Sequence, residues 1–146
     1  MKKFLRKFAV LIFAVALIAM PSATVFAASN AVVDYDADGF TSISFQPDPL
    51  FLAGSSVYVL EDITEASKDW IVPAGKTMYF SYFTQEQNTT ARIVIFGKNS
   101  LVYDNVITST IHGYQINMSP STDEEYTILI LPYTNVTLTG YAAYIG

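Results

Sequence analysis

Thr127-Ile-Leu-Ile-Leu131 sets four branched apolar residues in succession, preceded by Glu124-Glu125 and stopped by Pro132. The run is too short for a buried helix, and as a strand it is apolar on both faces. A strand of that kind belongs in the middle of a sheet with cover on both sides. Its chain neighbours read differently. In Phe40-Thr-Ser-Ile-Ser-Phe45, Thr41, Ile43 and Phe45 share one face and Ser42 and Ser44 the other. In the stretch from Val136 to Tyr144, simple alternation places Val136, Leu138 and Ala142 on one side and Thr137, Thr139 and Tyr141 opposite.

Extended outward, the same reading finds strands near 31–36, 40–46, 56–62, 76–84, 91–97, 101–108, 111–118, 125–133 and 136–145, with one short helix over 63–69. Asp38-Gly39, Pro47-Asp48-Pro49, Gly97-Lys98-Asn99-Ser100 and Ser119 to Asp123 supply the turns. Eight or nine short strands in one domain over 28–146 predict an all-β, antiparallel β-sandwich, jelly-roll or immunoglobulin-like. A small closed β-barrel is the alternative.

Residues 1–27 have another character. They hold 4 of the chain's 8 basic residues, none of its 13 acids and 20 apolar side chains. A basic start at 2–7, an uncharged run at 8–20, and Val25 and Ala27 as small residues before a break follow the order of a secretory signal. Cleavage after Ala27 is expected. The apolar run is short for a bilayer span, which needs about 20 residues, so no stable membrane insertion should survive cleavage. Leu131-Pro-Tyr-Thr-Asn135 looks like a wall-sorting pentapeptide, but no basic residue follows it. It reads as a strand entering a turn. The expected location is extracellular, or periplasmic where an outer membrane exists.

The remaining 119 residues carry 4 basic and 13 acidic side chains, a net charge of −9. Nucleic-acid binding is excluded by that balance. The absence of cysteine removes disulfides, thiolate metal sites and thiol catalysis. His112, the sole histidine, lacks a Gly-x-Ser-x-Gly partner motif and reads as a surface residue. Gly75-Lys76-Thr77 has Trp70 where a phosphate loop needs its first glycine, so it is a turn. Glu61-Asp62 and Glu124-Glu125 read as solvated strand ends. No catalytic set emerges, and the chain is expected not to be an enzyme.

Two features point to binding. Ten Tyr, six Phe and Trp70 give 17 aromatics after residue 27, and Tyr79 and Tyr82 fall on opposite faces of one strand. Both cannot be core, and a ring with a wet hydroxyl suits sugar stacking or protein contact. Asp34-Tyr-Asp-Ala-Asp-Gly39 sets three carboxylates at alternate positions before a glycine. It resembles the first half of an EF-hand calcium loop. That resemblance implies Asp34, Asp36, Asp38, the Phe40 carbonyl and Ser42 as ligands of a calcium ion. Phe45 stands where the loop's bidentate glutamate would be, and strands replace the flanking helices. The sequence thus predicts a secreted, non-catalytic module for a carbohydrate or protein ligand, with calcium as a stabilising ion. A self-associating matrix or surface-layer subunit is the second expectation, so an oligomer is open.

Overall fold

The computed structural model describes residues 23–25, 31–35, 39–45, 49–65, 67 and 69–146. Twelve strands are present among them: β1 Ala23–Val25, β2 Ala31–Tyr35, β3 Phe40–Phe45, β4 Leu50–Leu52, β5 Val57–Val59, β6 Trp70–Val72, β7 Met78–Thr84, β8 Thr89–Phe96, β9 Leu101–Ser109, β10 Gly113–Met118, β11 Glu124–Pro132 and β12 Val136–Ile145. Sheet A runs β1-β5-β11-β8-β9, with β6 also on β11; sheet B runs β10-β7-β12-β3-β2, with β4 also on β12. All pairs are antiparallel except β1 on β5, which is parallel.

Two edges are interrupted. From Ser44↔Gly140 to Leu50↔Leu138 the β3–β4 edge advances six positions while β12 advances two. The excess holds Pro47 and Pro49, neither of which can donate to a ladder. From Val59↔Leu129 to Trp70↔Tyr126 the β5–β6 edge makes a larger excursion. With β3/β4 and β5/β6 each taken as one broken strand, the antiparallel pairs β3/β4–β12, β5/β6–β11, β7–β10 and β8–β9 fall alternately in sheets B, A, B and A. A two-stranded ribbon wrapped in this way is a jelly roll. The sandwich expectation is therefore met, its jelly-roll form is selected, and the sheets do not close into a barrel. The helix expected over 63–69 is absent; its described residues form turns, fixed by Asp62, whose Oδ1 accepts from the Thr64 amide (3.0 Å) and hydroxyl (2.6 Å).

The core lies between the sheets. Ile43, Phe45, Trp70, Phe80, Tyr82, Ile93, Ile95, Ile128, Ile130, Leu138 and Tyr141 are buried there. The inward face of β3 is the expected one, Thr41, Ile43 and Phe45. β11 is central in sheet A, with Ile128 and Ile130 inside and Leu129 and Leu131 buried on the other face.

β12 departs from simple alternation. Its pairing with β7 slips between Leu138↔Thr84 and Gly140↔Phe83, so Thr139 is an extra residue. A bulge of this kind inverts the parity beyond it. Tyr141, expected beside the threonines, is therefore 1% exposed in the core. Glycine is required next to the bulge, because a Cβ at Gly140 would stand 2.6 Å from the Ile43 carbonyl oxygen.

Candidate functional site: the outer face of sheet B

Residues that face outward from sheet B line up across its strands. On β7 the burial alternates and leaves Tyr79, Ser81 and Phe83 outside; on β3 the outward set is Phe40, Ser42 and Ser44. The strand registers place these in three rows. The first row is Asn117–Tyr79–Tyr144–Phe40, the second Gln115–Ser81–Ala142–Ser42–Asp34, and the third Gly113–Phe83–Gly140–Ser44–Val32. Rows two residues apart are about 6.8 Å from each other, and five strands span about 19 Å. The centre of the middle row, Ser81, Ala142 and Ser42, is small, and it is flanked by aromatic rings. The result is a shallow trough that crosses the strands, with Tyr79 and Tyr144 on one wall and Phe83 on the other.

The first wall is ordered by its own contacts. Tyr79 and Tyr144 stack with centroids 6.1 Å apart and planes 27° from parallel. They are 39% and 45% exposed, and Phe83 is 45% exposed. At the β10 end, the Gln115 amide donates to Asn117 Oδ1 at 3.0 Å. Flat apolar rings beside amides and hydroxyls offer a stacking surface and directional hydrogen bonds together. Asp34 is the one charged side chain in the three rows, so the trough suits a neutral ligand better than a polyanion.

A second concavity of about 370 Å³ opens beside Asn117, between β9, β10 and the turn before β11, with Tyr103, Ser119, Thr122, Glu124 and Tyr126 in its wall. Inside the sandwich near this edge lies the Tyr82 hydroxyl, buried without a hydrogen-bond partner. Burial, with smaller contributions from Tyr114 and Tyr103, pushes its pKa up to about 12. The outer face of sheet A carries a bidentate Arg92–Asp104 pair at 2.7 and 2.8 Å. The Arg92 hydrogen bonds hold the Asp104 carboxyl below its ordinary range against the opposing effect of burial.

The residues singled out from the sequence scatter. Tyr79 is in the trough and Tyr82 is 2% exposed in the core, so the split between the two faces holds. Asp34 and Ser42 are cross-strand neighbours on the β2–β3 hairpin, and Phe40 pairs with Tyr144. Gly39 takes φ 91°, as the hairpin turn requires. Asp36 and Asp38 lie outside the described residues, as do positions 1–22 and the cleavage point after Ala27. Gly75 has φ 75° in a turn closed by the Lys76 amide on the Pro73 carbonyl at 3.1 Å. The exposed His112 ring pairs with the Gln87 amide at 3.0 Å. Leu131 to Asn135 is indeed a strand entering a turn. Glu61 and Asp62 correct the reading of solvated strand ends: both are buried, each 7% exposed, because the chain there is tied to the core, with the Leu60 amide donating to the Ile128 carbonyl at 2.9 Å and the Tyr141 hydroxyl to the Glu61 carbonyl at 2.9 Å.

Tyr144, Phe83 and Gln115 were not singled out from the sequence. Tyr144 lies 65 positions from Tyr79, and only the β7–β12 register joins them. Among the described residues no helix is long and apolar enough to cross a membrane, and no group of three or more His, Cys, Asp or Glu side chains could hold a metal ion. No family model and no curated protein matches the chain. Among solved structures, the chain is similar to the native structure of a family 35 carbohydrate binding module from Clostridium thermocellum, at 9% identity over 78% of this chain and 87% of that one, with a TM-score of 0.34. A likeness that distant has no bearing on ligand or activity.

Proposed function

We propose that the protein is a secreted, non-catalytic binding module that takes a neutral polysaccharide chain across the outer face of sheet B. The observation that carries this reading is the exposed, stacked Tyr79–Tyr144 pair set in a row with Phe40 and Asn117. Pyranose rings present apolar C–H faces to the tyrosines and hydroxyls to Gln115, Asn117, Ser81 and Ser42. A trough about 19 Å long accommodates an oligosaccharide better than a single sugar. Affinity electrophoresis in gels containing neutral plant and microbial polysaccharides tests it. One gel should retard the protein, and Tyr79→Ala with Tyr144→Ala should weaken retention roughly a hundredfold, at about 1.4 kcal/mol per ring. Equal migration of the double variant and the parent in every retarding gel would remove the trough from the binding site. No retardation in any gel would remove the function.

Calcium at the β2–β3 hairpin is the second part of the reading. Asp34 and Ser42 are directly opposite one another, and cross-strand neighbours hold their Cβ atoms about 4.5–5.5 Å apart. Asp36, Asp38 and the Phe40 carbonyl would complete the set. With no glutamate at the loop's twelfth position, the affinity belongs in the weak extracellular range, on the order of 10⁻⁴–10⁻³ M. Saturation to ten times the dissociation constant adds roughly 1.4 kcal/mol. A rise of a few degrees in melting temperature in 10 mM calcium is expected, and Asp36→Ala should abolish it. Identical melting in calcium and in chelator would leave the loop as a turn only.

Self-association is the second reading, favoured by β2. This edge strand of sheet B presents Val32 and Val33 at 55% and 40% exposure. A strict monomer in size-exclusion chromatography at high concentration would eliminate it.

A further inference from the structure

The concavity beside Asn117 opens at an irregularity in sheet A. The register along β8 and β9 passes from Ile95↔Tyr103 to Phe96↔Leu101, so Val102 is an extra residue on β9. A bulge of this kind bends its strand and re-aims the side chains around it. Tyr103 stands opposite the core residue Ile95 and faces the interior, yet it is only half-buried. The space of about 370 Å³ lies between Val102 and Tyr103 on one side and Asn117, Met118 and the turn before β11 on the other. Glu124 and Tyr126 complete its wall.

That wall is held by the protein's own hydrogen bonds. The 119–123 turn is tied to the 73–77 turn: the Ser119 and Thr77 hydroxyls are 2.7 Å apart, the Gly75 amide donates to the Pro120 carbonyl at 3.2 Å, and the Ala74 amide donates to Asp123 Oδ1 at 2.8 Å. Glu124 is oriented by the Lys98 amide, which donates to its Oε1 at 2.7 Å. A carboxylate offers about four lone-pair sites, so this bond leaves Glu124 with capacity for hydroxyl donors. A site whose walls are already in place loses little freedom when a ligand enters.

The chemistry of the wall is narrow. Ser119, Ser121 and Thr122 bring hydroxyls, Asn117 an amide, and Tyr103 and Tyr126 flat rings, with no basic side chain among the described lining residues. Glu124, with Asp123 next to it, repels anions. Ligand pockets run from about 300 to 1,000 Å³, so the space suits one small ring rather than a chain. A neutral sugar ring meets all of these conditions: C–H faces for the tyrosines, paired hydroxyls for the carboxylate and the amide, and no charge. Asn117 also closes the first row of the trough, which crosses the strands and ends at β10. The concavity begins where the trough stops.

We propose that the concavity between β9, β10 and the 119–123 turn is a second site, for a single neutral sugar unit, placed to take the end of a chain laid in the trough. Its placement at a chain end rests on the reading of the trough; the single-sugar site does not.

Free glucose, galactose, mannose, xylose, arabinose, N-acetylglucosamine and glucuronic acid, each titrated separately into the ¹⁵N-labelled full chain, test the site by the shifts of its amide resonances. At least one neutral sugar should move the amides of Asn117, Ser119, Thr122 and Glu124. A ligand of about a dozen heavy atoms reaches an affinity on the order of millimolar at ordinary efficiency. Glu124→Gln keeps an oxygen for the Lys98 amide and removes the charge, so it should weaken binding roughly tenfold. Tyr79→Ala with Tyr144→Ala should leave these shifts unchanged, which separates the concavity from the trough. Shifts confined to Tyr79, Ser81 and Ala142 would overturn the proposal and leave the trough standing. Shifts from glucuronic acid alone, no shift from any sugar, or full affinity in Glu124→Gln would each overturn it, whatever the trough binds.

Discussion

Replacement of Trp70 by alanine is expected to remove about 5 kcal/mol of stability. Trp70 is 1% exposed at the start of β6. Its ring meets Phe80 edge-on, with centroids 5.4 Å apart and planes at 71°, and Tyr141 at 6.2 Å and 76°. Truncation of a buried aromatic to alanine costs about 3–5 kcal/mol. Here a second loss is added, because Nε1 donates to the Leu60 carbonyl at 2.7 Å, and a buried carbonyl left without its donor costs roughly 1–3 kcal/mol. Trp70 thereby ties the entrance of the β5–β6 excursion to its exit. At about 4 °C per kcal/mol for a domain of this size, the melting temperature should fall roughly 20 °C. Circular dichroism measures the fall, since the only tryptophan has been removed. Trp70→Phe separates the two parts: it keeps a ring against Phe80 and loses the donor, so it should cost about half as much. A loss below 1 kcal/mol for Trp70→Ala would mean that the β6 end of the core is not packed as described.

Alkaline unfolding between pH 10 and pH 12 is the second large effect. Two buried phenols resist ionisation in the folded chain. Burial raises Tyr82 to about 12, and burial also raises Tyr141, reinforced by the nearby Glu61 and Asp62 and only partly offset by its bond to the Glu61 carbonyl. In the unfolded chain both ionise near 10. Their contribution is therefore fully present below pH 10. Above it, unfolding releases protons that the folded state retains, and stability falls as pH rises toward the folded values. Each phenol contributes a slope of about 1.4 kcal/mol per pH unit, about 2.7 for the pair. By pH 12 the loss approaches the whole stability of an ordinary domain. Urea titrations at pH 9, 10.5 and 11.5 measure the slope. Tyr82→Phe should halve it. The same substitution should leave stability at pH 7 unchanged or slightly higher, because the hydroxyl it deletes has no partner. A slope unaffected by Tyr82→Phe would place the alkaline transition elsewhere.

The strands that carry their own pattern were legible in the sequence. β3, β7, β11 and β12 stand within two residues of their expected bounds, since each is long enough to show alternation or a double-sided apolar run. β4 and β6 were not expected. Each has three residues, too few for a period, and each exists only as the resumption of an edge that had left its neighbour. The buried face of β12 was misassigned beyond Leu138 because nothing in Thr-Leu-Thr-Gly marks Thr139 as the bulged residue rather than the next step of the pleat. The trough was half legible. Tyr79 announced itself by opposing Tyr82 on one strand. Its alignment with Tyr144 and Asn117 is a property of register across three strands, and register is set by the whole sheet.

The place of β12 in sheet B has a consequence for how the chain reaches its folded state. β12 is the last strand of the twelve, and it lies in the middle, between β7 and the β3–β4 edge. Its Gly140 pairs with Ser44, 96 positions earlier. Until β12 is in place, β3 and β7 have no common neighbour, and sheet B exists only as the separate pairs β2–β3 and β7–β10. Folding should therefore be slow for the chain's size, in the millisecond-to-second range typical of distant β pairing. Sheet A contains no part of β12 and can pair without it, so the two sheets do not depend on the late strand equally.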